Sequence, residues 1–280
     1  MGSGGGPGGT APARSADRAA GTIREFAVAP RGTVKGVPTD HFGADVAAQY
    51  DDTLETMGEP ATVAGTAQFL ADEARGGAAL EFGIGTGRIA LPLSERGVEV
   101  HGIDLSEAML ARLRAKPGAE RITTVQGDFA TARAGRTFRL AYLVFNTIGN
   151  LTTQDAQVAC FQNAADHLEP GGRFVIEVGV PELQRLPRGE RFVPFSVTAR
   201  HLGFDEYDLV EQGLVSHHYA IDGDRVVVRP IPFRYVWPAE LDLMARLAGL
   251  RRHARYGDWD RSPFTATSAK HVSVWEKPAR

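Results

Sequence analysis

Residues 80–87 read Leu80, Glu81, Phe82, Gly83, Ile84, Gly85, Thr86, Gly87. Glycines placed behind a short apolar run form a turn that lets a ligand approach the backbone, because they adopt dihedrals closed to other residues. A helical pattern follows at once, and the first amides of a helix are unpaired donors that favour an anionic group. Asp104 ends the next apolar segment, Val98–Ile103. A carboxylate there can accept hydrogen bonds from both hydroxyls of a ribose, at about 1.5–3 kcal/mol per charged bond. These residues describe an adenosine-like ligand with an anionic end. The dinucleotide spacing G-x-G-x-x-G would need glycine where Arg88 stands. The third glycine is instead Gly87, giving G-x-G-x-G, which counts against NAD.

Two further residues have side chains suited to chemistry. Tyr50 lies on the apolar face of an N-terminal helix pattern, where it either packs or lines a reaction channel. His217, in the run His217-His218-Tyr219, shares one strand face with Tyr219 while His218 takes the other. One of these histidines is a candidate base or substrate contact, the alternative being a solvent-facing ring. Arg88 either pairs with a ligand carboxylate or is an exposed helix residue. Trp237, Trp259 and Trp275 read as core.

The elements that must position these residues follow from periodicity. Val46, Tyr50, Leu54 and Met57 repeat on one helical face, and a second helix fits 61–74. Strands and helices then alternate: strand 78–82, helix 88–96, strand 98–103, a helix N-capped by Ser106, strand 122–126, an apolar run over 138–145, helix 153–168, and strand 173–178. Such alternation predicts a doubly wound parallel sheet. Beyond Pro181 the period changes to two, with strands near 192–198, 204–211, 214–221 and 225–235 and a turn at Asp222-Gly223-Asp224. This predicts an antiparallel insertion over 182–236. A helix at 239–248 and strands near 251–259 and 271–275 complete the chain.

The totals exclude several classes. The chain has 280 residues and a net charge of −3, so no strong field draws it to nucleic acid or an anionic membrane. The single cysteine, Cys160, permits no internal disulfide and no cysteine-built zinc cluster, which suits a reducing cytoplasm. No run is long enough to span a bilayer. Residues 1–36, rich in Gly, Ala, Pro and Arg, are expected to form a disordered tail, without the features of a signal peptide, ahead of one domain at 37–280.

With these residues in order, the sequence resembles the class I S-adenosylmethionine (SAM)-dependent methyltransferases. Glu81–Gly87 resembles the family's first motif and Gly102–Ser106 its ribose segment. Gly127-Asp128-Phe129 resembles the segment flanking the adenine, Phe145–Asn150 the end of strand four, and Leu168–Arg173 the turn before strand five. The resemblance implies a Rossmann-like seven-stranded sheet with N-terminal helices and the insertion as a substrate cap. It implies that Glu81, Gly83, Gly85 and Gly87 hold the amino-acid end of SAM and Asp104 the ribose. Leu105, Asp128 and Phe129 would enclose the adenine, and Asn146 would lie near the methionine moiety. SAM would leave as S-adenosylhomocysteine. No universal catalytic residue is expected, since the sulfonium already activates the methyl; Tyr50 and His217 are the candidates. The resemblance is nearest to bacterial small-molecule and secondary-metabolite enzymes such as amino-sugar N,N-dimethyltransferases, which favours nitrogen over oxygen as acceptor and a monomer or homodimer. Phe145-Asn146-Thr147-Ile148 stands where base methyltransferases carry Asn/Asp-Pro-Pro-Tyr. The two competing readings are an NAD(P)-dependent oxidoreductase of similar topology and a SAM-binding protein without turnover.

Overall fold

The computed structural model describes residues 1–2, 43–50, 59–223 and 225–279. The chain divides into two compact units, Met1–Val37 and Pro38–Arg280, and every described helix and strand belongs to the second. The expected tail at 3–36, the start of order near His41, Leu54 and Met57 of the first helix, and Asp224 of the predicted turn lie outside the described residues.

In chain order the elements are α1 (Ala44–Gln49), α2 (Pro60–Ala74), β1 (Ala79–Phe82), α3 (Ala90–Glu95), β2 (Val100–Asp104), α4 (Glu107–Arg114), β3 (Ile122–Gln126) and β4 (Phe138–Leu143). Next come α5 (Gln154–His167), β5 (Leu168–Gly179), β6 (Phe192–Val197), β7 (His201–Asp208), β8 (Gly213–Asp222) and β9 (Arg225–Arg234). The chain ends with α6 (Pro238–Leu247), β10 (Arg251–Tyr256) and β11 (Lys270–Glu276). Seven strands form one sheet in the order β10-β11-β5-β4-β1-β2-β3. β1 to β5 are parallel, and β11 and β10 close the edge antiparallel. This is the predicted doubly wound fold.

The central strands are buried on both faces, as their unbroken apolar runs require. On one face Phe82, Phe174 and Trp275 pack with Phe161 of α5 and Leu241 of α6. On the other, Tyr142 and Val100 pack with Leu70 of α2, Leu93 of α3 and Leu110 of α4. Ser106 caps α4 by accepting the Met109 amide at 3.4 Å, and Thr153 caps α5 through Ala156 at 3.2 Å.

Boundaries depart from the periodicity where a turn or bulge intervenes. β5 begins at Leu168 rather than Arg173, because residues 169–172 bulge between the register pairs Phe138–Leu168 and Leu140–Arg173. α3 begins two residues late because the glycine turn runs on to Gly87, whose amide bonds to the Ile84 carbonyl at 3.0 Å. β10 stops at Tyr256, where Gly257 turns back to Ser262 at 2.8 Å. The insertion is a separate antiparallel sheet, β6-β7-β8-β9, with β8 and β9 joined at the Asp222–Arg225 pair. No helix among the described residues is long and apolar enough to cross a membrane.

Candidate functional site

β1 and β2 run parallel with Glu81 opposite Gly102 and Phe82 opposite Ile103. The Gly83 amide still bonds to Ile103 at 2.8 Å, and there the backbone turns away from the sheet. Asp104 anchors the turn: its Oδ2 accepts the Gly85 amide at 2.7 Å, and its Oδ1 accepts the Ser106 amide at 2.9 Å. The carboxylate thus ties the glycine turn to the start of α4. Gly85 has φ 55°, and no atom of the described residues lies within 4 Å of where a Cβ would stand, so the turn presents an open cradle. Gly87 has φ 79° and is crowded by the Leu113 side chain, so it serves the fold of the turn.

Beside the cradle lies a narrow cavity lined by Tyr50, Glu81, Gly83, Arg88, Phe145 and Thr147, among others. Glu81 is buried, and the Tyr142 hydroxyl donates to its Oε2 at 2.9 Å across the β1–β4 register pair. Burial raises the Glu81 carboxyl to about 8, against the lowering influence of Tyr142 and Arg88. The Arg88 guanidinium stacks over the Phe145 ring, 3.8 Å from its centroid, and lies 5.9 Å from that of Tyr50. A carboxylate and a guanidinium bordering one small cavity can hold the two ends of an amino-acid zwitterion.

The end of β4 separates this cavity from a second one. Phe145 and Asn146 both have positive φ, 55° and 58°, a conformation that costs on the order of 1–3 kcal/mol per non-glycine residue. The turn is fixed by the Phe145 amide donating to Glu177 Oε2 at 2.7 Å and by the Gly179 amide donating to Asn146 Oδ1 at 2.6 Å. Desolvation raises the carboxyl of Glu177, opposed by Lys270 at 3.8 Å. Phe145 and Thr147 border the narrow cavity, whereas Asn146 borders the second. That second cavity, about 580 Å³, lies between the ends of β4 and β5 and one face of the β6–β9 sheet. Its size suits a small-molecule site.

The structure therefore brings Glu81, Gly83, Gly85, Gly87 and Asp104 into one cradle and sets Tyr50 and Asn146 on the cavity walls. The Gly127 amide bonds to the Asp104 carbonyl at 2.8 Å, which brings Asp128 alongside, and half-buried Leu105 follows Asp104 directly. Asp128 accepts the Ala130 amide at 2.9 Å. The Phe129 ring is buried in the core, 6.0 Å from Phe82, so it braces the turn from beneath rather than offering a free face. His217 lines neither cavity: it pairs with Glu206 at 3.1 Å and stacks on Phe204, on the face of β8 opposite the cavity-lining Ser216. His218 shares the Ser216 face but hydrogen-bonds to Ser216 and His201 instead of lining the cavity. Sequence reasoning missed Tyr142, Thr147, Glu177 and Asp205. Tyr142 reads as one more apolar strand residue until the register sets it opposite Glu81.

A doubly wound sheet in this order, an acidic residue ahead of a glycine turn and a carboxylate closing the next strand define an α/β protein that binds an adenosyl ligand at its strand ends. A family profile described as "Methyltransferase domain" matches residues 79–172. The CcbJ methyltransferase from Streptomyces caelestis, a solved structure, is 38% identical and superposes with a TM-score of 0.78, covering 86% of this chain and 100% of that one. The cypemycin N-terminal methyltransferase of a Streptomyces species is 28% identical over 71% of this chain and 82% of its own. The dTDP-3-amino-3,4,6-trideoxy-alpha-D-glucopyranose N,N-dimethyltransferase of Streptomyces venezuelae is 32% identical over 49% of this chain and 58% of its own. The chain belongs to the class I SAM-dependent methyltransferases, and SAM is its cofactor. The residues present fit that group: an open cradle at Gly85, a ribose-competent carboxylate at Asp104, and a zwitterion-competent pair in Glu81 and Arg88.

Proposed function

We propose that this enzyme methylates a nitrogen of a small molecule or peptide amine, in a secondary-metabolite setting. The observation that carries the reading is the turn at Phe145-Asn146, which borders the Glu81–Arg88 cavity on one side and the 580 Å³ cavity on the other. Glu81 and Arg88 hold the amino-acid end of SAM, Gly83 and Gly85 admit it, Asp104 takes the ribose, and the backbone around Leu105 and Asp128 borders the adenine. Bound SAM supplies an electrophilic methyl: the acceptor lone pair forms the new bond to carbon, the carbon–sulfur pair returns to sulfur, and the acceptor proton leaves to water. The chain's own share is alignment and exclusion of water, and positioning alone is worth about 7–11 kcal/mol of barrier. The β6–β9 sheet caps the acceptor, and Tyr50 flanks the path between the cavities. The N-methyltransferase names of two relatives support nitrogen over oxygen. Incubation with trideuteromethyl SAM and matched amine–phenol pairs, read by mass spectrometry, is the test. Label on amines only supports this reading, and label on phenols only overturns it.

A further inference from the structure

The lining of the larger cavity names a class of acceptor. Its charged lining residues are Glu182, Asp205 and Arg234. Arg234, the one lysine or arginine among the described residues of the lining, is committed elsewhere. It is 4% exposed and donates to Gln157 Oε1 at 2.5 Å and to Glu240 Oε1 at 2.7 Å. Among the described lining residues the cavity therefore presents the Asp205 carboxylate and no lysine or arginine available to a ligand. Asp205 stands on the cavity-facing side of β7, beside its register partner Ser216 on β8, whose hydroxyl favours the ionised carboxyl. No ion pair among the described residues reaches Asp205, and desolvation raises its carboxyl. Phe195, Tyr207, Phe233 and Tyr235 supply aromatic surface around it, which suits an organic cation with an apolar body. A diphosphate would instead bring its charges against the Asp205 carboxylate, with no lysine or arginine among the described lining residues free to replace the hydration it loses.

We propose that Asp205, on the cavity face beside Ser216, seats the cationic amine of the acceptor, and that the acceptor enters without a phosphate or nucleotide handle. This rests on the N-methylation reading and narrows it: among amines, free cationic ones are taken and nucleoside-diphosphate-linked ones are not. The role is specificity, since the charge draws in the ammonium form and holds it beside the Asn146 turn, where it gives one proton to water and the freed lone pair takes the methyl.

The test uses the full chain loaded with S-adenosylhomocysteine, titrated calorimetrically with a panel of cationic amines, their uncharged amides, and one amino sugar in its free and dTDP-linked forms. Turnover of the same panel with SAM is measured in parallel. The expected result is that cationic amines bind more tightly than their amides and that the free amino sugar is preferred to its linked form. In Asp205→Asn, KM for the best amine rises about tenfold or more, while kcat and S-adenosylhomocysteine affinity stay within about twofold. Ser216→Ala shifts KM in the same direction by less. Unchanged S-adenosylhomocysteine binding reports an intact fold. Preference for the dTDP-linked sugar, an unaltered KM in Asp205→Asn, or the absence of binding by every cationic amine overturns the proposal. Methylation of phenols alone in the wild type would instead sink the N-methylation reading, whatever Asp205 does.

Discussion

The buried Glu81 makes a prediction that joins stability to binding. Its carboxyl titrates near 8 in the folded chain and near 4.5 as an ordinary glutamate, with desolvation as the main cause. As pH rises past 4.5 the unfolded chain releases this proton, while the folded chain keeps it until about 8. The folded state is then the more protonated, so stability falls across that window and levels off above it. At about 1.36 kcal/mol per pH unit the full effect is on the order of 5 kcal/mol. Glu81→Gln keeps the shape and the Tyr142 contact but cannot ionise. Its stability relative to wild type should rise steadily from pH 5 to pH 8 and then hold, as read from urea midpoints of the ligand-free proteins; other titrating groups cancel in the difference. On the proposed reading the same substitution removes the partner of the ligand's ammonium. Calorimetry should show S-adenosylhomocysteine binding weakened by about 10- to 100-fold at pH 8, for the loss of one charged hydrogen bond. Wild-type affinity should tighten as pH approaches 8, because the ligand needs the ionised carboxylate. Parallel pH curves for the two proteins, or equal ligand affinity, would refute the role given to Glu81.

Other residues give separate tests. Tyr142→Phe withdraws the hydroxyl that favours the ionised Glu81, so the Glu81 titration should move above 8 and S-adenosylhomocysteine affinity at pH 7 should fall several-fold by calorimetry. Gly85→Ala places a methyl in open space at the cradle, so ligand binding should be lost with a midpoint cost of only about 1 kcal/mol, whereas Gly87→Ala drives into Leu113 and should cost about 2–3 kcal/mol in urea melts. His271 is buried and held to about 4 by desolvation and Arg255, so it stays neutral in the fold while the unfolded chain takes a proton near 6.5. Stability should therefore drop by up to about 3 kcal/mol as pH falls from 6.5 to 4, and His271→Gln should lose that share of the acid sensitivity.

The parallel sheet and the cradle were legible because each leaves a local mark. Unbroken apolar runs signal central strands, and Ser106 and Thr153 signal helix starts. A carboxylate after the second strand falls beside the glycine turn in any parallel β1–β2 pair. What was not legible depends on register between distant segments. The Glu81–Tyr142 bond spans β1 and β4, and the Phe145 amide finds Glu177 on β5. Period-two alternation separated His217 from His218 correctly but did not say which face meets the cavity. The ends of β4 and β5 decide that, and they face Asp205 and Ser216. Phe129 follows the motif in sequence, yet its ring turns inward because Phe82 offers apolar contact that solvent does not.

Methyl transfer in this chain needs a continuous path from the Glu81–Asp104 cradle, past Phe145-Asn146, into the cavity under β6–β9. A crystal structure with S-adenosylhomocysteine tests that path most directly. The ligand's ammonium is expected on Glu81, its ribose hydroxyls on Asp104, and its sulfur at the Asn146 turn facing the 580 Å³ cavity. A ligand seated elsewhere, or a sulfur directed away from that cavity, would contradict it.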